Sequence, residues 1–376
     1  MDSETKQCQS CKQDFVIESD DFAFYETIKV PPPTFCSECR LIRRSVWRNH
    51  RSLYKKNCHL CNKFLVTMYS DSAPVLCNSC YYGDKFDPYK YEKEYDFLKN
   101  FFEQLKELFL VVPRLYTFRV GNLINSDYAS WIKDSKNVYL SYSVVLCEDS
   151  MYLENSDFIK NSFDIFASKK LDNCYYNVSS DGNYNTHFAV QSMNCLDSLF
   201  IYDCINCTDC FLCYNLRNKK YYYKNEQLTK EEYNAKIKSL ELNKFSNLKE
   251  VKEEFDSLIK NKAIHRFVSN YHSENVSGDY INNSKNIKRC FNCHNAENIS
   301  FSNRVLGPIK DCYDCQGVGF GSELIYESVA ATEGASKDYF SYLCINNSRE
   351  CEYCLLLKNC RNCFGCIGLK DASFCI

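Results

Sequence analysis

The chain contains 376 residues, a length that corresponds to two or three domains and can bury a sizeable hydrophobic core. Hydrophobic residues make up 45% of the sequence and charged residues 25%, which are globular values that exclude wholesale disorder, collagen and coiled coils. The net charge of −2 excludes a globally basic coat protein for nucleic acid, although it leaves room for a local basic surface.

Cysteine usage sets this sequence apart from an average protein. The chain has 26 Cys but only 11 Gly and 7 Pro, whereas average usage gives roughly 26 Gly and 19 Pro at this length. The first residues lack the basic and apolar segments of a secretory signal, and no apolar run reaches the roughly 18 residues of a membrane span. We therefore expect a soluble cytoplasmic protein whose cysteines are metal ligands and buried thiols rather than a disulfide framework.

Four CxxC pairs occupy the first 80 residues. A CxxC turn directs two thiolates at one zinc ion, and two such turns complete a closed tetrahedral site. We predict two structural zinc ions in sequential pairing, with a crossed pairing of the first and third turns as the alternative. Because a closed four-thiolate site has no open position for substrate, a structural role is favoured over a catalytic one. The predicted zinc ligands are Cys8, Cys11, Cys36, Cys39, Cys58, Cys61, Cys77 and Cys80.

A basic segment lies at residues 40–56. No Asp or Glu occurs between Arg40 and Ser70, and a helix starting at the second CxxC turn would align several arginines along one side. Such a side can contact the phosphates of nucleic acid or an acidic protein partner. Alternatively, the arginines compensate the negative charge of the zinc–thiolate centres. The predicted contact residues are Arg40, Arg43, Arg44, Trp47, Arg48, Arg51, Lys55 and Lys56.

The sequence predicts a mixed, mainly β protein, and changes in residue pattern divide the chain into several units. Apolar residues from Phe97 to Phe109 recur at helical spacing before Pro113, which predicts an amphipathic helix of about four turns. From about residue 116 onward, short Tyr, Phe, Val and Ile groups alternate with Asn, Asp and Ser, which is typical of strands and turns. The predicted units are a zinc-ribbon or treble-clef-like module at 1–82, the linking helix at 83–115, a β unit at 116–225, a helical hairpin at 226–264 and a second β unit at 265–376.

The two β units share sequence motifs, so we predict that they are similar repeats. Ser135-Lys136-Asn137-Val138 recurs as Ser284-Lys285-Asn286-Ile287, and the pattern from Cys207 to Leu216 recurs from Cys360 to Leu369.

The repeat also predicts how the two units are joined and where the second one stops. Thr229 and Glu232 match a capping box, and Asn247 is the predicted cap of a second helix. The second copy stops at Phe374–Ile376, which aligns with Tyr221–Tyr223 of the first, so we expect a truncated second unit.

Within both units, cysteines recur every third residue. A period of three fits neither a flat strand nor an α-helix, and it is typical of a tight parallel β-solenoid in which each short arc sends one small side chain inward. Buried thiols then fill a narrow core. The recurring residues are Cys204, Cys207, Cys210 and Cys213, and Cys351, Cys354, Cys360, Cys363 and Cys366.

An alternative is that paired cysteines of the second unit bind further metal ions. These secondary candidates are Cys290, Cys293, Cys312, Cys315, Cys351 and Cys354. An iron–sulfur site is disfavoured, because the run that begins at Cys204 departs from the spacing of ferredoxin ligands.

No recognised catalytic motif occurs in the sequence: it contains no Walker A motif, nucleophile elbow or HExxH. We therefore favour a non-enzymatic zinc-binding protein with no small-molecule substrate, whose repeat body is an interaction scaffold. The alternative function is metal storage or thiol redox chemistry by the repeat cysteines.

Three segments, in order, are similar to a known group of proteins. The segments PPPTFCSECRLIRRSVWRN, FFEQLKEL with VPRL, and NCFGCIGL resemble uncharacterised cysteine-rich proteins found mainly in metagenomic bacterial genomes. The resemblance implies zinc ribbons followed by a repetitive cysteine-rich body, and it implies no particular activity.

Overall fold

The computed structural model describes residues 2–47, 49, 51–70, 73–310, 315, 324, 326, 329, 334, 336–344 and 347–376. Within these residues the protein is mainly β, with 23 strands and six α-helices. Two small cysteine-containing modules at the N-terminus precede two β-rich units.

The two N-terminal modules begin and end with the same kinds of element. The first contains β1 (Glu4–Gln7), β2 (Asp14–Ile17), α1 (Ser19–Thr27) and α2 (Ser37–Ser45). The second contains β3 (Tyr54–Asn57), β4 (Phe64–Thr67), β5 (Val75–Leu76) and α3 (Asn78–Tyr82). Each begins with an antiparallel hairpin and ends with a helix whose N-cap residue is a cysteine, Cys36 for α2 and Cys77 for α3.

The linking helix is shorter than the apolar pattern predicts. This segment contains a 3₁₀ helix (Pro88–Tyr91), helix α4 (Phe101–Val111) and strand β6 (Arg114–Leu115), which pairs with β5. The side chain of Asn100 accepts the backbone N–H of Phe102 at 2.9 Å and so caps α4. Phe97 and Leu98, which we expected inside the helix, precede it and are 89% and 98% exposed.

The first β unit is a ladder of parallel strands. It contains β7 (Arg119–Ile124), β8 (Ser130–Tyr139), β9 (Tyr142–Val145), β10 (Glu148–Lys160), β11 (Phe163–Phe166), β12 (Lys169–Asp172), β13 (Tyr175–Val178), β14 (His187–Val190), β15 (Leu199–Tyr202), β16 (Thr208–Tyr214), β17 (Lys220–Tyr223) and β18 (Glu226–Gln227). Tyr175 pairs with His187, and His187 pairs with Leu199, so neighbouring strands are offset by twelve residues. The last strand, β18, pairs antiparallel with β17.

Every third residue of this unit faces the interior. Along β10 and β11 the buried positions are Ser150, Leu153, Ser156, Ile159, Ser162 and Ile165, each at most 1% exposed. The residue before each has a positive φ, for example 48° at Asp149 and 51° at Asn155. A left-handed residue turns the backbone at every step, and Asn and Asp adopt this conformation at lower cost than most residues. This explains the many Asn and Asp residues on the outside of the unit.

Small polar side chains in the interior complete the hydrogen bonding of the backbone. The hydroxyl of Ser156 donates to the carbonyl oxygen of Glu154 at 2.8 Å and accepts the N–H of Ser168 at 3.2 Å. A thiol takes the same donor role where cysteine replaces serine, since Cys147 Sγ lies 3.4 Å from the carbonyl oxygen of Val145. Interior serine and cysteine therefore satisfy backbone groups that the turning chain leaves facing inward.

A helical hairpin follows the first unit. It contains α5 (Lys230–Ser239) and α6 (Phe245–Asn261). The predicted capping box is confirmed, since the Thr229 hydroxyl accepts the N–H of Glu232 at 3.2 Å and the Glu232 carboxylate accepts the N–H of Thr229 at 2.8 Å. The prediction that Asn247 caps α6 is wrong. The helix begins two residues earlier, and the Asn247 side chain donates to the carbonyl oxygen of Leu240 at 3.0 Å.

Helix α6 covers a ladder of aromatic rings on the outside of the first unit. Phe188 and Phe200 are stacked with ring centroids 4.3 Å apart, and Phe200 meets Phe211 at 5.8 Å. Phe255 of α6 lies 5.6 Å from Phe200. The apolar face of the helix is therefore buried on these rings.

The second β unit also pairs its strands in parallel, and a different helix covers its aromatic ladder. It contains β19 (Glu274–Asn282), β20 (Lys285–Ser300), β21 (Asn303–Lys310), β22 (Arg349–Glu352) and β23 (Arg361–Phe364). Phe340 and Tyr353 are stacked at 4.9 Å, and Tyr353 meets Phe364 at 5.7 Å. Phe101 of α4 lies 4.9 Å from Phe364. The N-terminal segment thus packs on the second unit as α6 packs on the first.

Candidate metal centres

The first four-cysteine group joins the β1–β2 hairpin to the start of α2. Cys8 and Cys11 lie in the turn between the strands, where Lys12 has a φ of 62° and donates its N–H to the Cys8 carbonyl oxygen at 3.0 Å. Cys36 is the N-cap of α2, and Cys39 lies in its first turn. The four Sγ atoms lie within 4.8 Å of one another.

The second group has the same construction. Cys58 and Cys61 lie between β3 and β4, and Asn62, with a φ of 57°, donates its N–H to the Cys58 carbonyl oxygen at 2.9 Å. Cys77 is the N-cap of α3 and Cys80 lies within that helix. Their four Sγ atoms also lie within 4.8 Å of one another. The structure therefore groups the CxxC pairs in the order in which they follow along the chain, and not in the crossed arrangement.

The sulfur separations fit a tetrahedral ion. Cys11 Sγ lies 3.7 Å from Cys36 Sγ, and Cys61 Sγ lies 3.7 Å from Cys77 Sγ. A tetrahedron with metal–sulfur bonds of about 2.3 Å has edges of about 3.8 Å. Each group therefore has the donor atoms and the size that a single four-coordinate metal ion requires.

Backbone N–H groups stabilise thiolates in both groups. Burial alone would raise the pKa of the Cys8 thiol, but N–H donors from Cys36 and Cys11 lower it to about 6. The Cys36 N–H lies 3.3 Å from Cys8 Sγ, and the Cys77 N–H lies 3.4 Å from Cys58 Sγ. By contrast, burial and the neighbouring thiols raise the pKa of Cys36 to about 12. Ionisation of all four thiols of a group therefore needs a bound cation to compensate their charge.

The first module packs against the second β unit. Its buried residues Ile17, Phe22, Tyr25 and Ile28 form one cluster with Tyr326. At the edge of this cluster, Asp21 lies 3.7 Å from the amine of Lys288. The first cysteine group therefore belongs to a module that covers part of the second β unit.

The second module is buried against the same unit. Its residues Leu65, Val75, Leu76 and Tyr81 share a core with Val112, Leu355 and Ile367. The Tyr81 hydroxyl donates to the carbonyl oxygen of Leu356 at 3.3 Å, and the Lys370 amine lies 4.5 Å from the Tyr81 ring. An ion in this group would therefore stabilise an interface as well as the module itself.

The predicted basic surface is not a single exposed helical face. Arg40 and Arg44 of α2 are buried, at 2% and 3% exposure. Arg40 donates to the carbonyl oxygen of Phe35 at 2.6 Å, and its guanidinium lies 5.8 Å from the centre of the Phe301 ring. These two predicted contact residues are therefore not exposed to a partner in this structure, because their side chains face the protein interior.

The rest of segment 40–56 is divided between internal contacts and solvent. Trp47 packs at 5.7 Å from Phe109 and 5.3 Å from Tyr342. Arg51 forms an ion pair with Glu154, and the Lys56 amine donates to the Ala73 carbonyl oxygen. Arg43 and Lys55 are exposed. Arg48 lies outside the described residues. Helix α2 ends at Ser45, so Arg51 does not extend its face.

Those secondary metal candidates that the structure describes do not form a third four-cysteine group. Cys290, Cys293, Cys351 and Cys354 are completely buried in the interior of the second unit. Cys315 is disulfide-bonded, and Cys312 lies outside the described residues. Within the part of the chain that the structure describes, three or more candidate ligands come together within 4.8 Å at the two N-terminal groups alone.

The sequence predicted the inward thiols of the first unit from Cys204 to Cys213, but it did not identify Cys195 as their neighbour. Cys195, Cys204, Cys207, Cys210 and Cys213 belong to one buried cluster. Their period of three was visible in the sequence, but the twelve-residue offset that stacks Cys195 against Cys207 was not.

Comparisons with known proteins add little to this picture. No family model matches the chain, and no curated protein matches it. One similar solved structure is a "putative acetyltransferase" from Desulfovibrio desulfuricans G20, with 9% sequence identity and a TM-score of 0.13. The alignment covers 68% of this chain and 65% of the acetyltransferase, so this chain spans slightly less than two thirds of the length of that protein. Another is the polySia-specific acetyltransferase NeuO, with 10% identity, a TM-score of 0.08 and coverage of 58% and 78%. At these TM-scores the matches identify neither a shared fold nor a shared function.

Among the residues that the structure describes, no helix is both long enough and apolar enough to cross a bilayer.

Proposed function

We propose that this chain is a non-enzymatic zinc-binding protein in which two structural zinc ions fix two small modules against a repetitive scaffold. The observation that carries the proposal is the pair of four-cysteine groups, whose 3.7 Å sulfur separations match the edge of a zinc–thiolate tetrahedron. Four thiolates fill the coordination sphere of zinc and leave no position for water or substrate. This supports a structural role for the metal.

The order of elements supports a treble-clef-like form for both modules. In each module the first CxxC pair lies in a hairpin turn and the second pair lies at a helix N-terminus. The positive end of the helix dipole and the free N–H groups of its first turn favour the negative charge of a zinc–thiolate centre.

We also propose that the two β units are β-solenoids that supply the interaction surface. Parallel pairing at an offset of twelve residues supports this architecture for the first unit. In the second unit the same offset joins Arg349 to Arg361. Similar aromatic ladders, each covered by one helix, support a common origin for the two units.

Contact with nucleic acid or an acidic protein remains a prediction, and it now depends on fewer residues. Arg40 and Arg44 are buried, Trp47 packs against Phe109, and Arg51 is paired with Glu154. Arg43 and Lys55 are exposed members of the predicted set. If they contact phosphates, replacing both with alanine should weaken binding to a mixed-sequence DNA duplex and reduce its salt dependence. Binding that is equally tight and equally salt-dependent in the double variant would contradict this role.

The zinc proposal is tested by elemental analysis of the full chain purified under reducing conditions. We expect about two zinc ions per chain, one for each group. Cys11→Ser with Cys39→Ser should remove one ion, and Cys61→Ser with Cys80→Ser the other. Cys147→Ser is the matched control, because Cys147 lies in the interior of the first β unit. The proposal fails if zinc is absent, or if its content is the same in all four proteins.

A further inference from the structure

Four consecutive inward positions of the first β unit are all cysteine. They are Cys204, Cys207, Cys210 and Cys213, each at most 1% exposed. A fifth thiol, Cys195, precedes Cys207 by the twelve-residue offset of the ladder and is also completely buried. Elsewhere in this unit the inward positions mix serine, aliphatic residues and single cysteines, so this concentration of thiols is local.

The thiols of this cluster contact one another in pairs. The Cys207 thiol interacts with those of Cys195, Cys204 and Cys210, and Cys210 also interacts with Cys213. No three of these sulfur atoms meet the mutual 4.8 Å separation found in the N-terminal groups. The cluster therefore offers pairs of ligands rather than a tetrahedral set.

Backbone N–H groups already point at these sulfur atoms. Cys204 accepts an N–H from Leu216, and Cys207 accepts one from Lys219. The same kind of contact stabilises thiolates in the N-terminal groups, where the Cys36 N–H lies 3.3 Å from Cys8 Sγ. A thiolate in the interior would therefore have hydrogen-bond donors in place.

We propose that this interior cluster, Cys195 with Cys204, Cys207, Cys210 and Cys213, binds a soft monovalent cation, Cu(I), through pairs of thiolates. Thiolates are the ligands that select Cu(I). Each Cu(I) displaces two protons, one from each thiol, and the protons leave to solvent with no change in oxidation state. The resulting centre carries one negative charge, whereas four thiolates around zinc carry two. The smaller charge costs less in an interior lined by Ala189 and Ile201.

The second unit contains a comparable set of thiols. Cys351 interacts with Cys354 and Cys363, and Cys354 also interacts with Cys366. This set is left unchanged in the experiment below, so differences in copper content report on the first unit alone.

The test uses the full chain with zinc bound at its N-terminal groups. The protein is exposed to Cu(I) without oxygen in the presence of a competing Cu(I) chelator, and retained copper and zinc are counted. The variant replaces four thiols: Cys204→Ser, Cys207→Ser, Cys210→Ser and Cys213→Ser. Serine is the matched replacement, because serine already occupies the inward positions twelve residues before Cys204 and Cys210. There, Ser192 accepts the N–H of Cys204 and Ser198 accepts the N–H of Cys210. The control carries Cys147→Ser and Cys174→Ser, which removes two buried thiols outside the cluster.

We expect the four-serine variant to lose copper that the wild type and the control both retain, with zinc unchanged in all three. Equal copper in the wild type and the variant would overturn the proposal. If circular dichroism shows that the four-serine variant is unfolded, Cys207→Ser alone removes the thiol shared by three contacts and should lose part of this copper, because the pair Cys210 and Cys213 remains. Equal copper in that variant would also overturn it. The inference does not depend on the zinc proposal, since loss of zinc alone would contradict only the N-terminal centres.

Discussion

The backbone N–H of Cys351 donates to a buried carboxylate oxygen of Asp338 at 3.1 Å. Asp338 occupies an inward position of the second unit, where serine makes the equivalent contact in the first unit. Its other carboxylate oxygen is buried and has no hydrogen-bond partner among the described residues. Burial raises the pKa of Asp338 from 3.8 to about 9.

The raised pKa of Asp338 predicts a specific dependence of stability on pH. When a group has a higher pKa in the folded protein than in the unfolded chain, its contribution to stability depends on pH. The contribution is complete below the pKa of the unfolded chain, and it is lost as pH rises through the pKa of the folded protein. The free energy of unfolding should therefore fall between about pH 4 and pH 9. Asp338→Asn keeps an oxygen acceptor for Cys351 and removes the ionisation, so it should be more stable than the wild type by several kcal/mol at pH 8, about 1.4 kcal/mol for each pH unit above pH 4. The advantage should disappear near pH 4.

Denaturant unfolding of both proteins at several pH values measures this difference. Other groups titrate equally in the two proteins, so the difference between them isolates Asp338. A constant difference across this pH range would contradict the assignment.

The interior serines should be more important than their size suggests. Ser156→Ala removes the acceptor of the Ser168 N–H and one of the donors to the Glu154 carbonyl oxygen. It leaves the buried Ser168 N–H without this partner and should cost about 1–3 kcal/mol. Ser156→Cys should cost less, because thiols fill equivalent positions such as Cys147. Equal destabilisation by alanine and cysteine would show that volume, rather than hydrogen bonding, selects these residues. Denaturant unfolding measures both variants.

Features set by local spacing could be predicted from the sequence. The pairing of Cys8 with Cys11 follows from the geometry of a CxxC turn, and the capping box at Thr229 follows from a spacing of three residues. The period of three in the cysteine runs predicted side chains that point inward. These patterns involve neighbours along the chain, so no tertiary information is needed to interpret them.

Features set by packing could not be predicted from the sequence. Arg40 and Arg44 lie on the same side of α2, four residues apart, and the sequence does not show that this side faces Phe301. Likewise, the apolar residues Phe97 and Leu98 fit the helical period of α4 but precede its cap at Asn100. In both cases the period identifies a helix, while its contacts and its first residue depend on the rest of the fold.

Helix α6 should stabilise the first unit mainly through one aromatic contact. Phe255 is 3% exposed and lies 5.6 Å from Phe200. Phe255→Ala should lower the free energy of unfolding by about 3–5 kcal/mol, because the substitution leaves a cavity against the aromatic ladder. Phe245→Ala on the same helix is the matched control, since Phe245 is 80% exposed. A similar loss of stability in both variants would mean that helix propensity, rather than packing on Phe200, explains the effect.

Metal removal should be visible through tryptophan fluorescence. The chain has 2 Trp, and Trp47 packs against Phe109 and Tyr342 directly after the module that holds the first cysteine group. Trp47 is 39% exposed in the folded protein. Loss of the metal should release α2 and expose the rest of the Trp47 ring to water, which shifts its emission to longer wavelength. A zinc chelator should therefore change the spectrum of the wild type, and Trp47→Phe, which retains only Trp131, should respond much less. Added zinc should reverse the shift in the wild type. If the emission of the Trp47→Phe variant shifts as much as that of the wild type, the signal comes from Trp131. That result would contradict the prediction that metal loss releases Trp47 from Tyr342.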